Sequence, residues 1–229
     1  MTAIDLEKRD YIKNFMDERA IDRRHAALLV IDMQFATGAR DGALGRFLAE
    51  RQQSHIATYR FERIERLVVP NTQRLLAEFR GFGGAVVYTR NGSVRPDAAD
   101  APPHMRKLFR DLQIHEGSPA YEIVPALAPR PGETVLRKVT IGAFASTGID
   151  SVLRNLGIDQ LYMAGVSTNM CVEGTAREAA DRGYAVTLVE DACGTTQPAL
   201  HEACMTNFQR LYGRVRSTAE VLVELTARL

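Results

Sequence analysis

Residues 26–34 read AALLVIDMQ: six consecutive apolar residues stop abruptly at Asp32, and Gln34 follows two positions on. An apolar run without alternation is the pattern of a strand covered on both faces, as in a parallel sheet held between two helix layers. Asp32 then stands at the carboxyl end of that strand. Working outward, four more runs have strand character, at residues 84–88 (GAVVY), 133–136 (ETVL), 160–164 (QLYMA) and 185–189 (AVTLV). Helical patterns separate them. Residues 70–79 carry Leu75, Leu76 and Phe79 on one face, open with Pro70 and end near Gly81, while residues 149–156 and 171–181 stop at Gly157 and Gly183. Residues 199–211, a short sixth strand near residues 214–216 and a last helix from Ser217, opened by the Ser217 to Glu220 spacing of a capping box, complete the chain. This alternation predicts an α/β fold: a doubly wound, six-stranded parallel sheet with helices on both faces. The chemistry of such a fold sits in the loops at the carboxyl ends of the strands.

The 229 residues, 45% hydrophobic and 25% charged, suit a globular chain with a sizeable core. We expect a polar N-terminal extension over residues 1–24 and one domain over 25–229. Twenty-nine basic residues face 28 acidic ones, so no basic footprint points to nucleic acid or an anionic membrane. No stretch approaches the ~20 apolar residues of a membrane span, and the charged N-terminus has no signal-peptide core. Three cysteines, an odd number without framework spacing, suit a reducing compartment, so the expectation is a cytoplasmic protein. Two stretches break the rhythm, residues 38–66, polar and helix-prone, and the proline-rich residues 91–131; loops of this length read as lids or interfaces.

Absences narrow the reaction class. The chain has no G-x-G-x-x-G after a strand, no G-x-x-x-x-G-K-[ST], no G-x-S-x-G, no H-E-x-x-H and no C-x-x-C. What remains is three reactive residues at strand ends. Asp32 follows the first strand, and its plain alternative is a turn residue. Lys138 follows the third, in a chain where only four basic residues are lysines, and its alternative is a solvated side chain. Cys171 follows the fourth strand and opens a helix, where the helix dipole and a nearby ammonium would lower the thiol pKa; its alternative is a small buried hydrophobe. Cys193 and Cys204 are read as such hydrophobes. A thiolate nucleophile needs a base and a favouring cation, which Asp32 and Lys138 supply, and the N–H groups of residues 167–171 suit an oxyanion.

The strings LLVIDMQ (28–34), TVLRK (134–138), AGVSTNMCVEGTAREAADRGY (164–184) and VEDAC (189–193) resemble the isochorismatase-like cysteine hydrolases, in the family's order and spacing. The resemblance implies a Rossmann-like three-layer fold, a homo-oligomer (dimer or tetramer), and hydrolysis of small amides by Asp32, Lys138 and Cys171. It also implies a non-proline cis peptide joining Val166 to Ser167. Nicotinamidases of the family bind a metal through D-x-H after the second strand; here Thr89, Arg90 and Asn91 stand in that region, so no metal or other cofactor is expected. Residues 95–100 (RPDAAD) resemble the biuret hydrolase and ureido-amide branch, which makes Arg90 and Arg95 candidate substrate contacts. The expected substrate is a small molecule cleaved at a C–N bond. The alternatives are an isochorismatase-type vinyl ether hydrolase and a non-catalytic ligand-binding member.

Overall fold

All six residues of strand β1, Ala26–Ile31, are out of solvent. Ala26, Leu28 and Val30 join the core on one side of the sheet, and Ala27, Leu29 and Ile31 join the core on the other. This is why the run does not alternate. In the computed structural model, which describes residues 11–15 and 19–226, β1 is followed by β2 Ala85–Asn91, β3 Thr134–Lys138, β4 Gln160–Val166, β5 Ala185–Gly194 and β6 Arg214–Arg216. They form one parallel sheet in the order β3-β2-β1-β4-β5-β6. The doubly wound, six-stranded α/β architecture expected from the sequence is the observed one.

The α-helices in chain order are α1 Phe35–Gly38, α2 Ala43–Ala49, α3 Thr58–Arg63, α4 Val69–Gly81, α5 Pro103–Asp111, α6 Ile149–Asn155, α7 Glu173–Asp181, α8 Pro198–Leu211 and α9 Thr218–Thr226. Phe61 of α3, Leu75, Leu76 and Phe79 of α4, and Val221 and Leu225 of α9 cover one face. Ile149 and Leu153 of α6, Ala176 and Ala179 of α7, and Cys204 and Phe208 of α8 cover the other. Phe79 meets Tyr162 of β4 edge-on at 5.7 Å between ring centroids, and truncating such a ring to alanine costs about 3–5 kcal/mol. The capping box forms: Glu220 Oε2 accepts from the Ser217 N–H at 2.7 Å and Ser217 Oγ from the Glu220 N–H at 3.3 Å.

Three expectations need correction. The helix read from Pro70 begins at Thr58, because α3 runs through a wide five-residue turn, Ile64–Val68, into α4. Proline lacks the N–H of a helical ladder and crowds the carbonyl four residues back, and the ladder widens there. Residues 91–131 are a packed unit with a core of their own: Ala98, Met105, Phe109, Ile114 and Tyr121 bury themselves against Ala36 of α1 and Leu44 and Phe47 of α2. The strands also outrun their apolar stretches, since polar ends remain paired, as in Asn91 with Lys138 and Gly165 with Cys193.

The expected N-terminal extension lies in part outside the described residues. Among the described residues no helix is long and apolar enough to cross a membrane.

Candidate active site

Strand order brings the chemistry together. Asp32 follows β1, Asn91 ends β2, Lys138 ends β3, and Cys171 follows β4, so the four stand on neighbouring strands at one sheet edge, beside the β1/β4 switch point. Asp32 leaves the strand with φ of 51°, in the left-handed region that Asp tolerates better than most residues. Its N–H donates to the Thr89 carbonyl at 3.2 Å, and its own carbonyl accepts from the Gln34 N–H at 2.7 Å. The backbone turns back on itself there and aims the carboxylate across the sheet edge. Thr89 Oγ1 donates to Oδ1 at 2.7 Å, and Lys138 Nζ stands 2.8 Å from Oδ2.

Lys138 is wholly buried. Its Nζ donates to the Thr140 carbonyl at 3.0 Å and the Ile141 carbonyl at 2.9 Å, and stands 2.8 Å from Asp32 Oδ2 as an ion pair. Burial works most strongly against the charge, but Asp32 and Cys171 together outweigh it and hold the lysine pKa above its usual value. Asp32 and Lys138 therefore form a neutral, fully seated ion pair.

Cys171 lies within a five-residue wide turn, Thr168–Val172, that precedes α7; it does not open the α-helix as the sequence reading had it. Its thiol is buried and interacts with both Asp32 and Lys138. The expected lowering of the thiol pKa is reversed: burial, followed by the negative charge of Asp32, pushes it up to about 12, and Lys138 offsets only part of this. The reason is first that the sulfur is out of water, and then that the neighbouring carboxylate opposes a second negative charge there. Cys171 is thus a neutral thiol beside the Asp32 carboxylate.

The turn itself is set from several sides. Val166 and Ser167 are joined by a cis peptide bond, as the resemblance implied. The Ser167 carbonyl accepts from the Met170 and Val172 N–H groups at 3.0 and 3.3 Å, so these two amides are already engaged. Behind the turn, Arg63 Nη2 donates to His201 Nε2 at 3.0 Å, which leaves Nδ1–H to donate to Thr168 Oγ1 at 3.0 Å. Gly165, with φ of 126°, lies so close to β1 that a Cβ would meet the Ile31 carbonyl oxygen at 2.1 Å.

Sequence reasoning passed over Asn91. Its Nδ2 donates to Cys171 Sγ at 3.5 Å, its backbone N–H donates to Gln34 Oε1 at 2.7 Å, and Gln34 Nε2 donates in turn to the Tyr121 carbonyl at 3.0 Å. Asn91 Oδ1 is buried with no hydrogen-bond partner. The available signal was the register, since a polar residue ending the strand between β1 and β3 has to stand between Asp32 and Lys138.

Other candidates fall elsewhere. Arg90 donates from Nη1 to both Glu122 carboxylate oxygens at 2.9 and 2.8 Å and lies over the Tyr121 ring. Arg95 is exposed and forks onto Asp97 at 2.9 and 2.7 Å. Asp100 accepts from the N–H groups of Val94 and Arg95, so the RPDAAD stretch folds its own loop. Cys193 and Cys204 are core residues, their thiols pushed up mainly by burial. Among the described residues no three His, Cys, Asp or Glu side chains gather as metal ligands.

An isochorismatase domain matches residues 26–220. The chain is 32% identical to the ureidoacrylate amidohydrolase RutB of Methylorubrum extorquens, covering 87% of this chain and 82% of that one. It is 35% identical to the uncharacterized isochorismatase family protein YwoC of Bacillus subtilis over 69% of this chain and 83% of that one. Among solved structures, a cysteine hydrolase from Pseudomonas syringae pv. phaseolicola superposes with a TM-score of 0.76 at 26% identity, over 92% and 96% of the two chains. The N-carbamoylsarcosine amidase of Thermoplasma acidophilum gives 0.62 at 27% identity, over 84% and 96%. With the domain match spanning the sheet, the nucleophile turn and most of the chain, this protein belongs to the isochorismatase family.

Proposed function

We propose that the protein is an amidohydrolase that cleaves the C–N bond of a small amide or ureido compound through a covalent intermediate on Cys171. The observation that carries this reading is the buried Cys171 thiol next to the buried Asp32–Lys138 ion pair, with Asn91 Nδ2 at 3.5 Å from the sulfur. Asp32 takes the thiol proton as sulfur bonds to the substrate carbonyl carbon. It hands that proton to the departing nitrogen as the C–N bond breaks. Water then attacks the acyl-cysteine, losing a proton to Asp32; the S–C bond breaks and the proton returns to sulfur. Lys138 holds the carboxylate in place and balances its charge whenever Asp32 is ionised.

Asn91 supports an amide over a vinyl ether. Its Oδ1 is a buried acceptor without a donor, and a scissile amide or ureido group carries N–H donors where a vinyl ether carries none. The kinship with an enzyme named for ureidoacrylate and one named for N-carbamoylsarcosine points to the same bond class. The test is ammonia release from purified protein over biuret, triuret, N-carbamoyl amino acids, ureidoacrylate, maleamate and nicotinamide, with isochorismate as the competing arm. We expect turnover of an amide or ureide that disappears in Cys171→Ser. Turnover of isochorismate alone, undiminished in that variant, would overturn the proposal.

A further inference from the structure

Arg60 of α3 is a guanidinium with only 3% of its surface exposed. It lies between the two turns that flank the centre. Nε donates at 3.0 Å to the carbonyl of Thr37, in the helix just after Asp32, and Nη1 donates at 2.8 Å to Ser167 Oγ, at the start of the nucleophile turn. These contacts use two of its five donors. Among the described residues no carboxylate pairs with it. By contrast Arg80 and Arg214, both more exposed, fork onto Glu133 and Glu224.

A lone buried guanidinium is costly, because removing an ion from water without a partner forfeits its solvation. Burial draws the Arg60 pKa down to about 10, which still leaves it charged at neutral pH; the one charge that favours it is a thiolate at Cys171. The charges around the sulfur can therefore be added. Asp32 and Lys138 cancel, the resting thiol is neutral, and Arg60 leaves the centre with one uncompensated positive charge.

We propose that Arg60 binds a carboxylate carried by the substrate, a few atoms from the carbonyl that Cys171 attacks, so that anionic amides and ureido acids are preferred over neutral ureides such as biuret. The proposal rests on the amidohydrolase reading and narrows its substrate class. The planar fork of a guanidinium matches a carboxylate with two parallel N–H donors, and a desolvated pocket strengthens each of those bonds. Asp97 takes the fork of Arg95 through Nε and Nη2, Glu122 takes Arg90 through Nη1, and Arg60 keeps three of its five N–H donors, one on Nη1 and both on Nη2.

The test uses a pair of alkylating agents of nearly equal size, iodoacetate and iodoacetamide, one with a carboxylate where the other has a carboxamide. Cys171 modification is followed by peptide mass, and each rate is divided by that of free glutathione with the same reagent. We expect the native chain to favour iodoacetate by about tenfold or more, the ratio to fall to about one in Arg60→Gln, and Arg60→Lys to keep most of it. A ratio near one in the native chain overturns the proposal. So does a joint fall of both rates in Arg60→Gln with the ratio kept, which would make Arg60 a support for the thiolate. Should Arg60→Gln not fold, the native chain still decides: N-carbamoylglycine should protect Cys171 from iodoacetamide at a concentration about tenfold lower than its neutral amide does, and equal protection refutes the idea. Neither readout needs turnover, so the carboxylate site and the amidohydrolase reading can fail separately.

Discussion

Lys138 Nζ stands 2.8 Å from Asp32 Oδ2 with both side chains buried, and its other two donors are bound by backbone carbonyls. In the proposed mechanism Lys138 holds the carboxylate and Asp32 is the group that moves protons. Asp32→Asn keeps the shape and removes the base, so kcat should fall by about 10² to 10⁴ while the fold persists. Steady-state rates with far-UV circular dichroism check this, and a wild-type kcat in the variant would return proton transfer to another group.

Lys138→Met should fail differently. It strands the Asp32 carboxylate in the interior, and breaking a buried pair from one side costs about 3–5 kcal/mol. Urea denaturation should show that loss in Lys138→Met and a smaller one in Asp32→Asn. A Lys138→Met chain as stable as the native one would mean that the pair is solvated in solution.

The raised thiol pKa sets a pH dependence with a definite sign. In the native chain Cys171 is protonated until pH approaches about 12, whereas in the unfolded chain it ionises near the ordinary thiol value of about 8.5. The folded state therefore binds the proton more tightly, and its contribution to stability is full below the unfolded pKa and lost as pH rises toward the folded one. Alkylation of native Cys171 by iodoacetamide should keep rising with pH through 9 and 10, and that of a denatured control should level off. A plateau of the native rate at neutral pH would show a preformed thiolate.

Much of this was legible in the sequence, for identifiable reasons. The AALLVI run is apolar on both faces because both faces are covered, and so it reports a three-layer sheet directly. Asp32, Lys138 and Cys171 were visible because reactive residues at strand ends are few in this chain. The thiol pKa was not, since its sign is set first by burial and then by how near the sulfur stands to Asp32 and Lys138, which only the fold fixes. Arg60 was hidden among 25 arginines, and only burial without a carboxylate distinguishes it. The helix before Pro70 was hidden by the proline itself, which reads as a start when the chain is already helical.

Gly165 offers a test of how tightly the nucleophile strand is set. Its φ of 126° is unfavourable for any residue with a Cβ, and that atom would collide with the Ile31 carbonyl oxygen on β1. Gly165→Ala must push β4 away from β1, and with it Cys171 away from Asp32. We expect a lower melting temperature together with a fall in activity beyond the loss of folded protein, measured as kcat per active site titrated. Native-like stability would mean that the strands separate more easily than their contact suggests.

Asn91 allows stability and function to be set against each other. Its Oδ1 is a buried acceptor with no partner in the protein, and such an atom costs about 1–3 kcal/mol. Its Nδ2 gives only a 3.5 Å contact to the Cys171 sulfur in return. Asn91→Leu keeps the branched shape and the number of heavy atoms, removes the unsatisfied atom and leaves the backbone bond to Gln34 in place, so the melting temperature should hold or rise. If Oδ1 serves the substrate N–H, the same change should lower kcat/KM by about 10- to 100-fold, the worth of one or two hydrogen bonds to a desolvated group. Asn91→Asp should be worse for catalysis, because a second carboxylate beside Asp32 opposes loss of the thiol proton. A leucine variant that loses stability yet keeps its kcat/KM would make Asn91 a structural residue and remove its part in recognising the amide.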